Sequence, residues 1–584
     1  MQRILILSLI FAISLFTACK KQPQHNANFK RTSNAVIVRM DGDADRLNPF
    51  LVVTNYGRVV VENIFMYLLA YEPNDLSLTT DLAVARPVVQ DVASGPYAGG
   101  VSYTFEILPE AVWDNGQPVT GNDYLFSVKA LLNPMVQAAA VRAYLTDLAD
   151  VQVDPSNPKK FTVIMRQKSI FGEETAGGLF SILPEYLFDP KGLLKNIPLS
   201  ALTDPELAEA LAKEEPRLQD FAESFNSDPY SRDPALLKGC GPYELVSWET
   251  GQRIVLRKKA NWWGDRLAKN RPTFQVFPDS LIFKPIPNPA TALAALQNEE
   301  IDAMSNLAPE DFLRLQEDSA FNQLYQLGTV DGLAYYYIGV NARRPLLSDK
   351  RVRQALAHVV DADEIIREVF QGFGQRIAAP VPLSVDYYPK ALKPIPFNLE
   401  KAKSLLAQAG WKDTDNNGIV DKTAGGKKTE LKLTYLLNAS SETSRNIGLL
   451  IQDNARKAGI DLQLEAKEPT VLLDQLKKGD FELVSAGRTQ SPLWNPMQNW
   501  HTQGDNRYGF GDAETDALIE DILVTMDDKA RREKMIRLLN RIYDEQVEIL
   551  LFAPKDRIAI HKRFETTLTP FTPGFTPSQF KLKE

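Results

Sequence analysis

The succession of elements between Leu431 and Ser485 restricts the fold more than any other feature. It reads as strand Leu431–Leu436, helix Ser444–Ala458, strand Asp461–Ala466, helix Val471–Lys478 and strand Phe481–Ser485. Strands that alternate with amphipathic helices are stable only as a sheet whose faces the helices cover, so an α/β architecture is expected. A second stretch, Tyr335–Phe370, has the same grammar. Tyr335, Tyr336, Tyr337, Ile338 and Val340 form a β-branched and aromatic strand. Ser348 or Asp349 caps a helix whose stripe is Val352, Ala355, Leu356 and Val359, and Asp361 with Glu364 opens another that ends at Gly372. At 584 residues the chain exceeds what one core accommodates. The Tyr335–Phe370 stretch is where the chain is expected to cross from one packed body to another.

The first residues carry a separate message. Met1-Gln2-Arg3 is a short basic start, Ile4–Phe16 a run of 13 mostly apolar residues, and Thr17-Ala18-Cys19 a small-residue cleavage site. The run is too short to span a bilayer. Residues 1–18 therefore read as a signal peptide, and residues 19–34, polar and without periodicity, as a flexible tether. Removing the leader with its Arg3 takes the formal charge from −8 to −9. With no basic stripe, nucleic acid is excluded as a partner. Cys240 is the other cysteine, so no disulfide is expected within the chain; between Gly239 and Gly241 it reads as a small buried residue.

Further along, Ala35–Met40 is a strand, Tyr56–Tyr71 a deeply packed helix, and Tyr103–Ile107 a half-buried strand. Thr120 with Asp123 caps the helix Tyr124–Leu132. Phe161–Met165 is a strand, Thr203–Ser227 an acidic helical insertion, and Tyr243–Val246 with Arg253–Lys258 a hairpin. Ser280–Phe283 is a strand, Ala290–Gln297 and Asn398–Ala409 are helices. After the helices Glu514–Met526 and Ala530–Gln546 come two late strands, Glu548–Phe552 and Ile558–His561.

Several separated blocks are similar to one family. They include Trp113-Asp114-Asn115-Gly116, Gly239-Cys240-Gly241-Pro242-Tyr243, Asn261-Trp262-Trp263-Gly264, Val340-Asn341 through Leu356, Lys401–Trp411 and Gly479–Leu483. In order and spacing they resemble the extracytoplasmic solute-binding proteins, family 5, of peptide and nickel ABC importers. Phe16-Thr17-Ala18-Cys19 likewise resembles a lipobox, with Phe16 in place of the usual Leu, which implies lipidation at Cys19. The resemblance implies a two-lobed periplasmic-binding-protein-like fold (type II) with an extra domain and mixed sheets flanked by helices. Lobe I would be residues 35–71, 183–334 and 548–584, the extra domain 72–182 and lobe II 335–547. It also implies a monomeric, membrane-anchored, extracytoplasmic receptor without cofactor or enzymatic activity, which captures a peptide or other small solute by lobe closure and delivers it to a permease with ATPase subunits. A chaperone or signalling receptor of the same fold without a permease is the alternative.

For ligand contacts the chain offers the segment after the strand Phe481–Ser485, because open α/β sheets place ligands at the carboxyl ends of strands. Arg488, Gln490, Trp494, Asn495, Trp500 and Tyr508 are the candidates. Peptide-binding relatives have an Asp in this loop for the peptide amine. No acid lies between Gly487 and Gln503 here, and Arg488 adds a cation, which points to an anionic, blocked or sugar-like guest unless Arg488 has an ion-pair partner of its own. Asp413, Asp415, Asn417 and Asp421 match the first half of a calcium loop, but Ala424 stands where the closing carboxylate belongs. That segment is either a weak calcium site or an Asp- and Gly-rich turn. His358, His501 and His561 have no second ligand at metal spacing.

Overall fold

The computed structural model describes residues 33–73 and 75–583. The expected leader and Cys19 lie outside them. Ser33 and Asn34, expected in the tether, are bound to the body: Arg563 donates to the Ser33 carbonyl, and the Asp279 N–H to that of Asn34.

One sheet of 12 strands runs through the molecule. Its order is Asp461–Lys467, Lys432–Asn438, Leu483–Thr489, Ala334–Val340, Glu548–His561, Ala303–Met304, Ala35–Met40, Ser280–Pro285, Arg253–Lys258, Tyr243–Glu249. Tyr325–Asp331 and Gly374–Gln375 also pair with Glu548–His561. A separate four-stranded sheet joins Val88–Asp91, Val101–Glu106, Lys160–Met165 and Leu148–Val153.

The long strand Glu548–His561 divides the architecture. Its first residues, Glu548 to Phe552, pair with Ala334–Val340, and its later ones, Lys555 to His561, pair with Tyr325–Asp331. Packing divides at the same place. Ile549, Leu551 and Phe552 belong to a core with Ile338, Val352 and Ile447, whereas Ile558 and Ile560 belong to another with Val36, Leu281 and Phe105. The core that holds Val36 and Leu281 also takes in Phe161 and Val163 of the four-stranded sheet. In the strand Ala334–Val340 alternation feeds two cores. Tyr335 and Tyr337 face one with Trp500, Ile519 and Leu538, while Tyr336, Ile338 and Val340 face the other.

Local signals place most elements as expected. Thr120 and Asp123 form a reciprocal capping box on Gly121–Leu132, Asp349 caps Lys350–Val359, and the Asp361 carboxylate accepts from the Glu364 N–H. Three expectations are corrected. The helix over Tyr56–Tyr71 is confined to Asn55–Val61, and Leu69–Tyr71 is instead a strand against Leu78–Thr80. An apolar run looks alike in either conformation, and partners decide between them. The strand expected at Phe481–Ser485 is Leu483–Thr489, so Arg488 sits within it rather than in a loop. The two late strands are one, Glu548–His561. Pro554 falls where the strand changes partners, between the rows paired at Phe552 and at Lys555.

Candidate functional site

Arg488 stands opposite Tyr335 in the antiparallel pairing of Leu483–Thr489 with Ala334–Val340, which puts both side chains on one face. Glu548 comes to the same place from the neighbouring strand. Its carboxylate lies 2.6 Å from the Arg488 guanidinium and accepts from the Tyr335 hydroxyl at 2.9 Å. The guanidinium also donates to the Tyr335 hydroxyl at 2.5 Å and the Tyr337 hydroxyl at 3.1 Å, and the Tyr337 and Tyr508 hydroxyls meet at 2.9 Å. Gly339 leaves room for this ring: a Cβ there would stand 2.3 Å from Tyr508.

Burial sets the electrostatics. The Glu548 side chain is 1% exposed and that of Arg488 22%. Desolvation raises the Glu548 carboxyl, an effect the guanidinium and the Tyr335 hydroxyl oppose. Arg488 loses solvation too, but Glu548 and the tyrosines hold its pKa above its ordinary value. Desolvation and Glu548 also push the Tyr337 phenol up to about 12. The cation that would have asked for an anionic guest therefore has its own carboxylate, 60 residues further along the chain.

The other candidates divide. Trp500 and Tyr508 join the Arg488 group: both are buried, and the Trp500 ring centroid lies 6.0 Å from the guanidinium. Trp494 is buried, its main-chain N–H donating to the Tyr387 hydroxyl at 3.4 Å; Asn495 is exposed and its side-chain oxygen accepts from the Met497 N–H. Gln490 is elsewhere. Its N–H donates to the Leu333 carbonyl at 2.7 Å, and its side chain lines a cavity of about 190 Å³ with Val330, Asp331, Leu383 and Ser384. This cavity lies beside the place where the long strand changes partners, since Ala553 is part of its wall. Asp331 was not a sequence candidate. It is an acid facing the end of Leu483–Thr489 from a strand over 150 residues upstream, and no local pattern marks it.

The remaining polar motifs are self-contained. The carboxylates of Asp413, Asp415 and Asp421 converge within 4.8 Å. Lys428, from the hairpin that follows, reaches Asp415 at 2.6 Å and Asp421 at 3.2 Å. Asp421 also accepts from the Thr414 N–H and hydroxyl, and Asn417 donates to Glu430 at 2.7 Å. The Lys428 ammonium thus lies against two of the three converging carboxylates. His358 contacts the Pro396 carbonyl, His501 Glu520 and His561 Glu299, each away from the other two. Cys240 is buried, which pushes its thiol up to about 12, and its carbonyl accepts from the indoles of both Trp262 and Trp263.

Residues 88–510 match the family described as bacterial extracellular solute-binding proteins, family 5 Middle. The oligopeptide-binding protein AppA of Bacillus subtilis is 26% identical over 581 residues, covering 96% of this chain and 95% of the relative. The solved structure of that protein with a nonapeptide superposes with a TM-score of 0.65 at 22% identity, over 94% of this chain and 99% of the other. NikA from Brucella suis, in complex with Fe(III)-EDTA, gives a TM-score of 0.71 at 19% identity, over 94% and 100%. These superpositions establish a shared fold. Among the described residues, no helix is long and apolar enough to cross a membrane.

Proposed function

We propose that this chain, which belongs to the bacterial extracellular solute-binding proteins of family 5, captures a peptide between two lobes and hands it to an ABC permease. The observation that carries this reading is the cavity beside the partner change of Glu548–His561. Its wall combines Val330, Asp331 and Pro570 from one side of that change with Ile377, Leu383 and Gln490 from the other. Two connections join the sides, Gly332-Leu333 between the strands Tyr325–Asp331 and Ala334–Val340, and Ala553-Pro554 within the long strand. We place the lobe boundaries there. Residues 33–71, 183–331 and 555–583 form lobe I, residues 72–182 the extra domain, and residues 334–552 lobe II. Closure then needs only a few backbone torsions, and guest contacts from both lobes shift the population toward the closed form.

A peptide is favoured over an anionic guest because Arg488 is neutralised by Glu548. The relative that matches nearly the whole chain is named for oligopeptide binding. Arg488, Trp500 and Tyr508 form the polar-aromatic floor of lobe II; Gln490 makes direct contact, and Trp494 and Asn495 border it. No covalent step is required, and the reading includes no enzymatic activity. Lipidation at Cys19 holds the protein at the membrane through the tether.

The test is mass spectrometry of material that co-purifies with the protein, followed by calorimetric titration with defined tetrapeptides. Peptide ions and saturable binding are the expected result; a co-purified metal chelate or sugar with no peptide binding would sink it.

A further inference from the structure

The cavity at the hinge has a chemistry of its own. Its wall is mainly hydrocarbon, from Val330, Leu333, Ile377, Val381, Leu383 and Ala553. Its volume of about 190 Å³ is of the order of the apolar cavities, about 150 Å³, that take up a benzene molecule. That suits one branched or aromatic side chain and is too small for a whole peptide.

Three polar side chains, Asp331, Ser384 and Gln490, interrupt the apolar wall, and the first and last differ. Asp331 has a counter-ion, the Lys555 ammonium at 3.7 Å. The carboxylate therefore already has a cation of this chain beside it, both groups being partly exposed. Gln490 has no such satisfaction: its side-chain Nε2 is buried without a hydrogen-bond acceptor, while its main-chain N–H is held on the Leu333 carbonyl. A buried amide donor without an acceptor is costly. A carbonyl oxygen arriving with the guest removes that cost, whereas an ammonium, which only donates, does not.

We propose that this cavity is a specificity pocket, which selects peptides carrying an uncharged apolar side chain of about the size of leucine or phenylalanine, with an adjoining carbonyl oxygen accepting from Gln490 Nε2. The inference rests on the peptide reading given above and adds to it the residues that discriminate among peptides. Ser384, exposed at the rim, controls entry.

The test is calorimetry on the full chain with synthetic tetrapeptides, Ala-Ala-Ala-Ala and its single replacements by Leu, Phe, Lys or Glu at each position. The best Leu or Phe peptide is expected to bind about ten-fold or more tighter than tetra-alanine, and Lys and Glu peptides no tighter than tetra-alanine. In Ser384→Trp the rim is blocked and the ratio of Leu to Ala affinities collapses to within about two-fold. In Gln490→Leu the affinity for the Leu peptide falls by about three- to ten-fold, the worth of one neutral hydrogen bond, while the preference for Leu over Ala persists. Urea midpoints equal to that of the unmodified protein show that the variants fold. Two results overturn the pocket and leave the peptide reading intact: an undiminished Leu-to-Ala ratio in folded Ser384→Trp, or unmodified protein that prefers Lys or Glu peptides. Failure of every tetrapeptide to bind the unmodified protein overturns both.

Discussion

The cluster around Arg488 and the turn around Lys428 pose the same question with different physics. Each gathers opposite charges that suggest a ligand when read from one side only. In the first, three neighbouring strands bring Arg488, Tyr335 and Glu548 together away from water. In the second, a hairpin folds Lys428 back over its own preceding loop, with the ammonium 39% and Asp415 47% exposed, while its other partner, Asp421, is buried but held by the Thr414 N–H and hydroxyl as well. A buried pair is expensive to break because the survivor is left charged and unsolvated, whereas an exposed pair exchanges its partner for water. Charge pattern alone does not tell a site from a scaffold. Depth and the availability of a partner do.

The widest separation between the two regions is expected in Glu548→Ala. Stranding the Arg488 guanidinium should lower stability by about 3–5 kcal/mol in urea unfolding. A loss under about 1 kcal/mol would mean that water reaches the cluster, and the contrast with the hairpin would fail. Next in size is the double variant Arg488→Met with Glu548→Leu. Removing both charges should restore most of what the single change loses, since a hydrocarbon pair of similar bulk fits a buried site. Additive losses would show that the two residues act separately.

A smaller effect is expected at Asp421. The Thr414 N–H and hydroxyl, more than Lys428, hold its carboxyl below the usual carboxylate range. A depressed carboxylate contributes stability above its unfolded pKa of 3.8 and loses it as the pH falls through the lower folded value. Asp421→Asn should therefore flatten the acid limb of the stability profile and leave its shape above about pH 5 unchanged. An acid limb that coincides with that of the unmodified protein would count against the assignment. Smallest of all, Lys428→Ala should lower stability by less than about 1 kcal/mol, because Asp415 is exposed and the buried Asp421 keeps the Thr414 N–H and hydroxyl, and millimolar calcium should not raise the urea midpoint of the unmodified protein. Stabilisation by calcium would reveal that the ammonium yields its place to a metal.

Much of this was legible beforehand, for reasons that particular residues make clear. Thr120 with Asp123, and Asp349 with the stripe Val352, Ala355, Leu356, act over three or four residues, and there they appear in the structure. The β-branched and aromatic run Tyr335–Val340 likewise reads as a strand and is one. The two late strands expected at Glu548–Phe552 and Ile558–His561 are one because what joins them, a change of partners in the sheet, is not a property of neighbours along the chain. Arg488 suggested an anionic guest because its partner, Glu548, arrives with a different strand. Nothing near Gln490 announced that Asp331 and Ser384 would meet it around a cavity.

The chain's own order of residues determined the α/β class, the starts of the longer capped helices and the family, because periodicity, caps and block spacing are properties of neighbours along the backbone. Only the tertiary structure decided which charges are spent on each other, where one strand serves two cores, and which side-chain amide is buried without an acceptor. Those outcomes depend on sheet register and on desolvation, which bring together groups far apart in the chain.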